Sequence, residues 1–220
     1  MMKIFQTACF LFLLLSCFDS QAQVNKSEFR AFNRQDWIIS TSASWSLYRY
    51  ETVLKSNNEK DNNFALSRMY QIGAEKGILP WLSVGFKGKF NRYYTEKDSV
   101  TGTTPTVKSD DWLLFANGHL LVRKHFDLVL GMAYGLSSFV YAVNDAEISK
   151  ATGNGPNFEL SIQPRFTFGK HLGAYFLVSY NRLNYASLTF ENRITSLPDA
   201  LSLKGGGTGI GIGVFFRFGK

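Results

Sequence analysis

From residue 36 almost to the end of the chain, apolar side chains alternate with small or polar ones at every second position, in eight separate runs. A repeat of two belongs to an extended strand, whose successive side chains point to opposite faces. Residues 36–50 show it cleanly: Trp37, Ile39, Thr41, Ala43, Trp45 and Leu47 share one face, and Ser40, Ser42, Ser44 and Ser46 share the other. Residues 205–220 repeat it, with Thr208, Ile210, Ile212, Val214, Phe216 and Phe218 opposite Gly207, Gly209, Gly211, Gly213, Phe215 and Arg217. Beyond the N-terminal segment no stretch approaches the ~18 apolar residues that a spanning helix requires, so any membrane signal must lie in the alternation.

The remaining runs fall at residues 64–76, 81–94, 111–123, 127–142, 157–168 and 173–185. Their connections are long and polar at 51–63, 95–110, 143–156 and 186–204, and short at 77–80, 124–126 and 169–172. Long and short connections thus alternate without exception. That order predicts an up-and-down antiparallel sheet with all short turns at one end, and eight strands are enough to close it into a barrel.

Which face is inside decides what solvent surrounds the barrel. A soluble, lipocalin-like barrel has the same period with an apolar cup and a polar exterior. Here the minority face carries Ser, Gly and Ala together with Glu75, Lys87, Lys89, His119, Arg123, Glu159, Arg165 and Arg217. Such a set suits the filled interior of a small membrane barrel, and the continuous Trp, Ile, Leu and Phe face suits hydrocarbon. Composition agrees, since 15% of residues are aromatic, with 20 Phe and 10 Tyr for interfacial girdles. The sheet must then close, because each unpaired backbone group in lipid costs several kcal/mol.

The N-terminus predicts export. Residues 1–22 have Lys3, an apolar run at 8–15 and a small-x-small end at Ser20, Gln21 and Ala22, the pattern of a cleaved signal peptide. A rival reading takes Leu14, Leu15, Ser16 and Cys17 as a lipoprotein box with Cys17 acylated. Both cysteines, Cys9 and Cys17, lie in this segment, so cleavage after Ala22 leaves no disulfide, no Cys-ligated metal and no Cys nucleophile. Residues 23–35 then form a short periplasmic leader and 36–220 the barrel, with both termini periplasmic.

The closing strand, apolar on one face, small on the other and ending near Phe218, resembles the closing strand of Gram-negative outer-membrane β-barrels, which their assembly machinery recognises. Here Gly219 and Lys220 follow the aromatic, where the family more commonly ends on it. Across the mature chain the pattern is similar to the OmpA/OmpX/OmpW class of small outer-membrane barrels. The resemblance implies an all-β, eight-stranded antiparallel up-and-down transmembrane barrel in the outer membrane of a Gram-negative bacterium. It does not imply one function, since such barrels host adhesins, pores, lipid enzymes and structural proteins.

Three functions are therefore weighed on residues. Interior charges that pair across a narrow lumen make a plug, and the expected role is then structural or interactive at the cell envelope. Glycines on the fifth and eighth strands could instead leave a thread of water, giving a narrow pore for small solutes in the OmpW manner. A lipid A-modifying enzyme needs a nucleophilic Ser activated by His and an acid. Only His119 lies within a predicted strand, and Leu120 and Leu121 follow it, unlike the His-x-Ser-Asn run of lipid A deacylases. No His and carboxylate cluster has metal-ligand spacing and no phosphate-cradling loop is evident, so neither a cofactor nor a metal is expected.

Charge points to the partners. The formal charge is +7, and for an exported chain the counter-charge is expected to be lipid and lipopolysaccharide phosphate rather than nucleic acid. Arg49, Arg68, Arg92 and Arg182 fall on the lipid-facing phase, beside the ends of the apolar runs where such charge is inexpensive. They form a candidate belt for lipopolysaccharide, with ordinary snorkelling to water or a bulge that turns some of them inward as the alternatives. The predicted loops show no recognisable adhesion motif.

Overall fold

A computed structural model describes residues 31–54, 59–95, 104–143, 149–192 and 201–219. The expected signal peptide, most of the leader and the tips of several loops lie outside this set. Eight strands make up the fold: β1 (Trp37–Leu54), β2 (Glu59–Leu79), β3 (Leu82–Tyr93), β4 (Thr106–Val122), β5 (Phe126–Ala142), β6 (Ser149–Phe168), β7 (Leu172–Asn192) and β8 (Leu201–Phe218). Each pairs antiparallel with its neighbours in sequence, and β8 pairs with β1, closing the barrel.

The closure has a definite stagger. Tracing the register round the ring from Trp37 through Lys76, Val84, Ala116, Met132, Leu160, Tyr180 and Thr208 returns to β1 at Leu47, ten positions further along. Eight strands with that shear tilt by roughly 40° and enclose a bore just wide enough for side chains to fill.

The outer surface is apolar, with Leu114 69% exposed, Leu136 68% and Ile210 63%. Aromatic residues mark its two edges: Trp37, Trp81, Phe168 and Phe218 near the short turns, and Trp45, Tyr70, Trp112, Tyr134 and Tyr180 toward the long loops. From Trp37 to Trp45 is eight residues along one strand, roughly 20 Å of height at that tilt, close to the thickness of a barrel's apolar band. Greasy surface outside and charge inside make this a transmembrane barrel and exclude the lipocalin arrangement.

Most strands run further toward the loop end than alternation indicates. β1 continues to Leu54, β6 begins at Ser149, β7 extends to Asn192 and β8 begins at Leu201. Above the aromatic edge the outer face carries polar residues such as Arg49, Arg182 and Asn184 while Tyr50, Tyr185 and Leu203 are buried inside, so the ladder continues where the apolar-outside pattern that betrays it stops. The turn ends are tight: Gly169 between β6 and β7 has φ +78°, a left-handed conformation that glycine adopts without penalty.

Candidate functional site

Inward-facing side chains fill the bore in layers. At the turn end, Glu75 of β2 meets Arg165 of β6, with Nη1 3.3 Å from Oε1 and Nη2 2.9 Å from Oε2. β2 and β6 are four places apart in a ring of eight, so this fork crosses the bore along its diameter. Asn117 donates to Glu75 Oε2 at 3.1 Å and Ser83 Oγ to Oε1 at 2.5 Å. His119 Nε2 lies 3.3 Å from the same Oε1, and its Nδ1 lies 2.7 Å from Asp127 Oδ2.

The middle layer is a second ion network. Glu159 of β6 receives Lys87 Nζ at 2.5 Å on Oε1 and Lys89 Nζ at 2.6 Å on Oε2, both from β3. Lys89 also donates to Asn181 and lies 3.9 Å from Asp111 Oδ2. Asp111 is held by Asn91 at 3.0 Å, Asn157 at 2.8 Å and Ser137 at 2.5 Å. Two ammonium groups thus face two carboxylates, so the layer is neutral although its members are buried. Taking one charge from such a set leaves its partner uncompensated, which makes the layer all-or-none.

Apolar and aromatic groups close both ends. Toward the loops Tyr48, Tyr50 and Tyr93 contact one another edge-on or stacked at 5.6–5.8 Å, and Phe139 meets Tyr185 at 5.4 Å. At the turn end Phe32, Ile38, Met69, Tyr175, Leu177 and Phe215 form one buried cluster. Phe32 belongs to the leader, which enters the mouth and fastens across it through Ala31 N donating to Arg123 O at 3.0 Å. Gly77 makes room for this strap, because a Cβ there would lie 2.6 Å from Asn33 O and 2.8 Å from Arg34 O. Beside the strap, Asp36 Oδ2 sits 3.5 Å from Arg217 Nη1. Burial pushes the Asp36 carboxyl up from its ordinary range, with Arg217 pulling the other way.

Of the eight side chains expected in the bore, Glu75, Lys87, Lys89, His119, Glu159, Arg165 and Arg217 are buried there. Arg123 is not: it is exposed at the β4–β5 turn. The register shifts between His119 and Leu121, where Leu120 is the extra residue of a bulge. One inserted residue reverses the phase of the rest of the strand, so Val122 turns in to pack on the turn-end cluster and Arg123 turns out. The expectation for Arg123 comes from parity carried through the bulge.

The alternative of a water thread along the glycines meets filled space on β8. A Cβ at Gly207 would meet the Tyr48 ring, one at Gly213 the Tyr175 ring, and one at Gly205 the Tyr50 ring at 2.7 Å. These glycines are small because aromatic rings from the bore lie over them. On β5, a Cβ at Gly131 would lie 2.5 Å from Ser161 Oγ and 2.6 Å from Asn117 Oδ1.

Asp111 and Asp127 escape the sequence reading as bore residues because each borders a predicted strand. Both share the inward parity of their strands, Asp111 with Asn117 and His119, so extending the phase finds Asp111. Tertiary structure also sets Ser83 Oγ 3.0 Å from His119 Nε2, giving a Ser, His and Asp sequence of contacts with Asp127. Its chemistry is not that of an activated nucleophile: Ser83 already donates its proton to Glu75, it is fully buried, and Phe32 covers the imidazole.

Arg49, Arg68, Arg92 and Arg182 all face outward, each on the loop side of an outward aromatic of its own strand, Trp45, Tyr70, Phe90 and Tyr180. Arg68 lies over the Tyr70 ring at 5.7 Å. The register groups them into two rows. Arg49 and Arg182 flank Gly206 on one rung, while Arg68, Arg92 and Lys108 stand directly opposite one another on β2, β3 and β4. Lys108 falls in an expected loop that is in fact strand. Among the described residues one counter-charge pairs with these groups, Asp110 Oδ1 at 3.2 Å from Arg92 Nη1.

No family model matches this sequence, and no curated protein does. Solved structures match its fold. The outer membrane protease OmpT from Escherichia coli aligns with a TM-score of 0.51 and 9% identity over 86% of this chain and 98% of that one. Neisserial surface protein A aligns at 0.45 with 13% identity, over 81% and 97%. Ail, the attachment invasion locus protein of Yersinia pestis, aligns at 0.45 with 13% identity, over 82% and 99%. At 9% identity the OmpT likeness is one of architecture alone, and on that ground the chain is a small β-barrel with the fold of outer-membrane proteins.

Proposed function

We propose that this protein is a non-enzymatic, non-conducting barrel of the Gram-negative outer membrane, with a structural or interaction role at the envelope. The observation that carries the reading is the Glu75 and Arg165 fork, which spans the bore along its diameter beneath a second layer of paired charges. An ion crossing the barrel would have to part both layers and the aromatic clusters at either end. Export with removal of residues 1–22 and periplasmic termini complete the placement; tight turns on the terminal side and longer loops opposite support that orientation. Refolded protein in planar bilayers should stay silent, and steady discrete openings would overturn the plug in favour of a narrow pore.

The interaction surface of this reading is the outward basic band. Like charges opposite one another on a sheet repel, and the row of Arg68, Arg92 and Lys108 keeps three of them together at the level where outer-leaflet headgroups begin. Lipopolysaccharide phosphates supply the missing counter-charge, and arginine binds them through paired N–H groups. Replacing Arg49, Arg68, Arg92 and Arg182 together by Gln should reduce the lipopolysaccharide that co-purifies; unchanged co-purification would discard the band.

A further inference from the structure

At the opposite edge of the apolar belt a cavity of about 660 Å³ opens beside the start of β1. Arg34, Lys76, Trp37, Ile78 and Phe218 are among its walls, and none of its described lining residues is acidic. Trp37 is the residue that places it: its register partners are Lys76 on one side and Phe218 on the other, so a cation, an indole and a phenyl ring share one rung of the outer face. Lys76 Nζ stands 5.0 Å from the Trp37 ring centroid and donates to Gln35 O at 2.9 Å. One of its three N–H donors is thereby used and its position is fixed. Arg34 is exposed on the leader between the buried Phe32 and the start of β1. Ile78 keeps the outward parity of Tyr70, Ile72 and Lys76 and lies on this surface at 43% exposure, in the bulge between Gly77 and Leu79.

Each feature suits one kind of molecule. The notch lies where the apolar belt ends, so a ligand there has its polar part at the cations and its apolar part against the belt. From Trp37 the outward column continues through Ile39, and from Phe218 through Phe216 and Val214, an unbroken apolar track below the cations. We propose that the notch binds an anionic glycerophospholipid, with Arg34 and Lys76 on the phosphate and the acyl chains along the Trp37 and Phe218 columns. Charge complementarity selects the headgroup and the track selects a lipid over free phosphate. The site rests on the membrane placement of the barrel, not on the basic band at its other end.

The test is native mass spectrometry of the full detergent-solubilised protein with added phosphatidylglycerol, phosphatidylcholine or inorganic phosphate. Wild type should retain one phosphatidylglycerol in preference to phosphatidylcholine, and inorganic phosphate should not displace it. The pair R34Q and K76Q should lower retention by about tenfold, as expected for losing charged hydrogen bonds in a partly wet site. A second pair, K124Q and K204Q, removes the same charge from exposed positions that line neither the notch nor the basic band and should retain the lipid as wild type does. Equal retention by the first pair, loss in the second, or displacement by inorganic phosphate would each overturn the site. Failure of wild type to enter bilayers would remove the membrane placement and this site with it, a result distinct from insertion without bound lipid.

Discussion

Phe32 lies flat on His119, with ring centroids 3.4 Å apart and 10° between the planes. The contact joins a leader residue to the inner wall of β4, so the turn-end mouth is stoppered by a segment that is not part of the sheet. Phe32→Ala should destabilise the barrel by about 2–4 kcal/mol, slightly less than truncating a phenylalanine in a fully enclosed core. Urea unfolding in detergent would measure it, and hydrogen exchange at Ser83 and His119 amides should quicken. An unchanged unfolding midpoint would mean that the strap is only resting on the mouth.

Glu159 neutralises two lysines at once. Glu159→Gln should cost about 3–5 kcal/mol, because Lys87 and Lys89 would then face each other with half the compensating charge. Combining it with Lys87→Met restores the balance and should recover much of that loss. A double-mutant cycle reads the coupling; additive effects would contradict a shared network.

Arg165 and Arg123 have the same inward parity in the sequence, and the bulge at Leu120 separates their roles. Arg165→Gln strands Glu75 in the bore and should cost about 3–5 kcal/mol. Arg123→Gln changes an exposed turn and should stay within about 0.5 kcal/mol. Equal effects on the unfolding midpoint would argue against the reversed phase.

Gly207 has the Tyr48 ring where its Cβ would be. Gly207→Ala should destabilise the barrel by about 1–3 kcal/mol through overpacking. Pairing it with Tyr48→Leu should relieve the part of the strain that comes from the ring and leave the part set by Leu47 O, 2.8 Å from the same point. If the paired variant is no better than the single one, the backbone rather than the ring sets the need for glycine.

Much of this is legible in the sequence because a closed sheet has a strict period. Alternation from Trp37 and from Gly205 shows which side chains face lipid, and the order of long and short connections shows the topology. Strand ends are not legible at the loop end: residues such as Lys108 or Asn154 lie where neither face is pressed against hydrocarbon, so pairing leaves no mark on composition. Arg123 eludes the sequence because of a bulge that parity cannot register, whereas Ile78 keeps the outward phase of β2 and falls in an expected turn that is in fact strand.

The identity of the inner face and its charges thus belongs to the sequence, since period two assigns every regular position to lipid or bore. Which charge meets which belongs to the closed ring. Glu75 and Arg165 are 90 residues apart in the chain, and only the stagger of ten positions round eight strands brings β2 opposite β6 at the height where guanidinium and carboxylate meet. The leader's descent onto His119 is likewise a tertiary event, because a phenylalanine before the first strand carries no sign of the mouth that the closed ring will offer it.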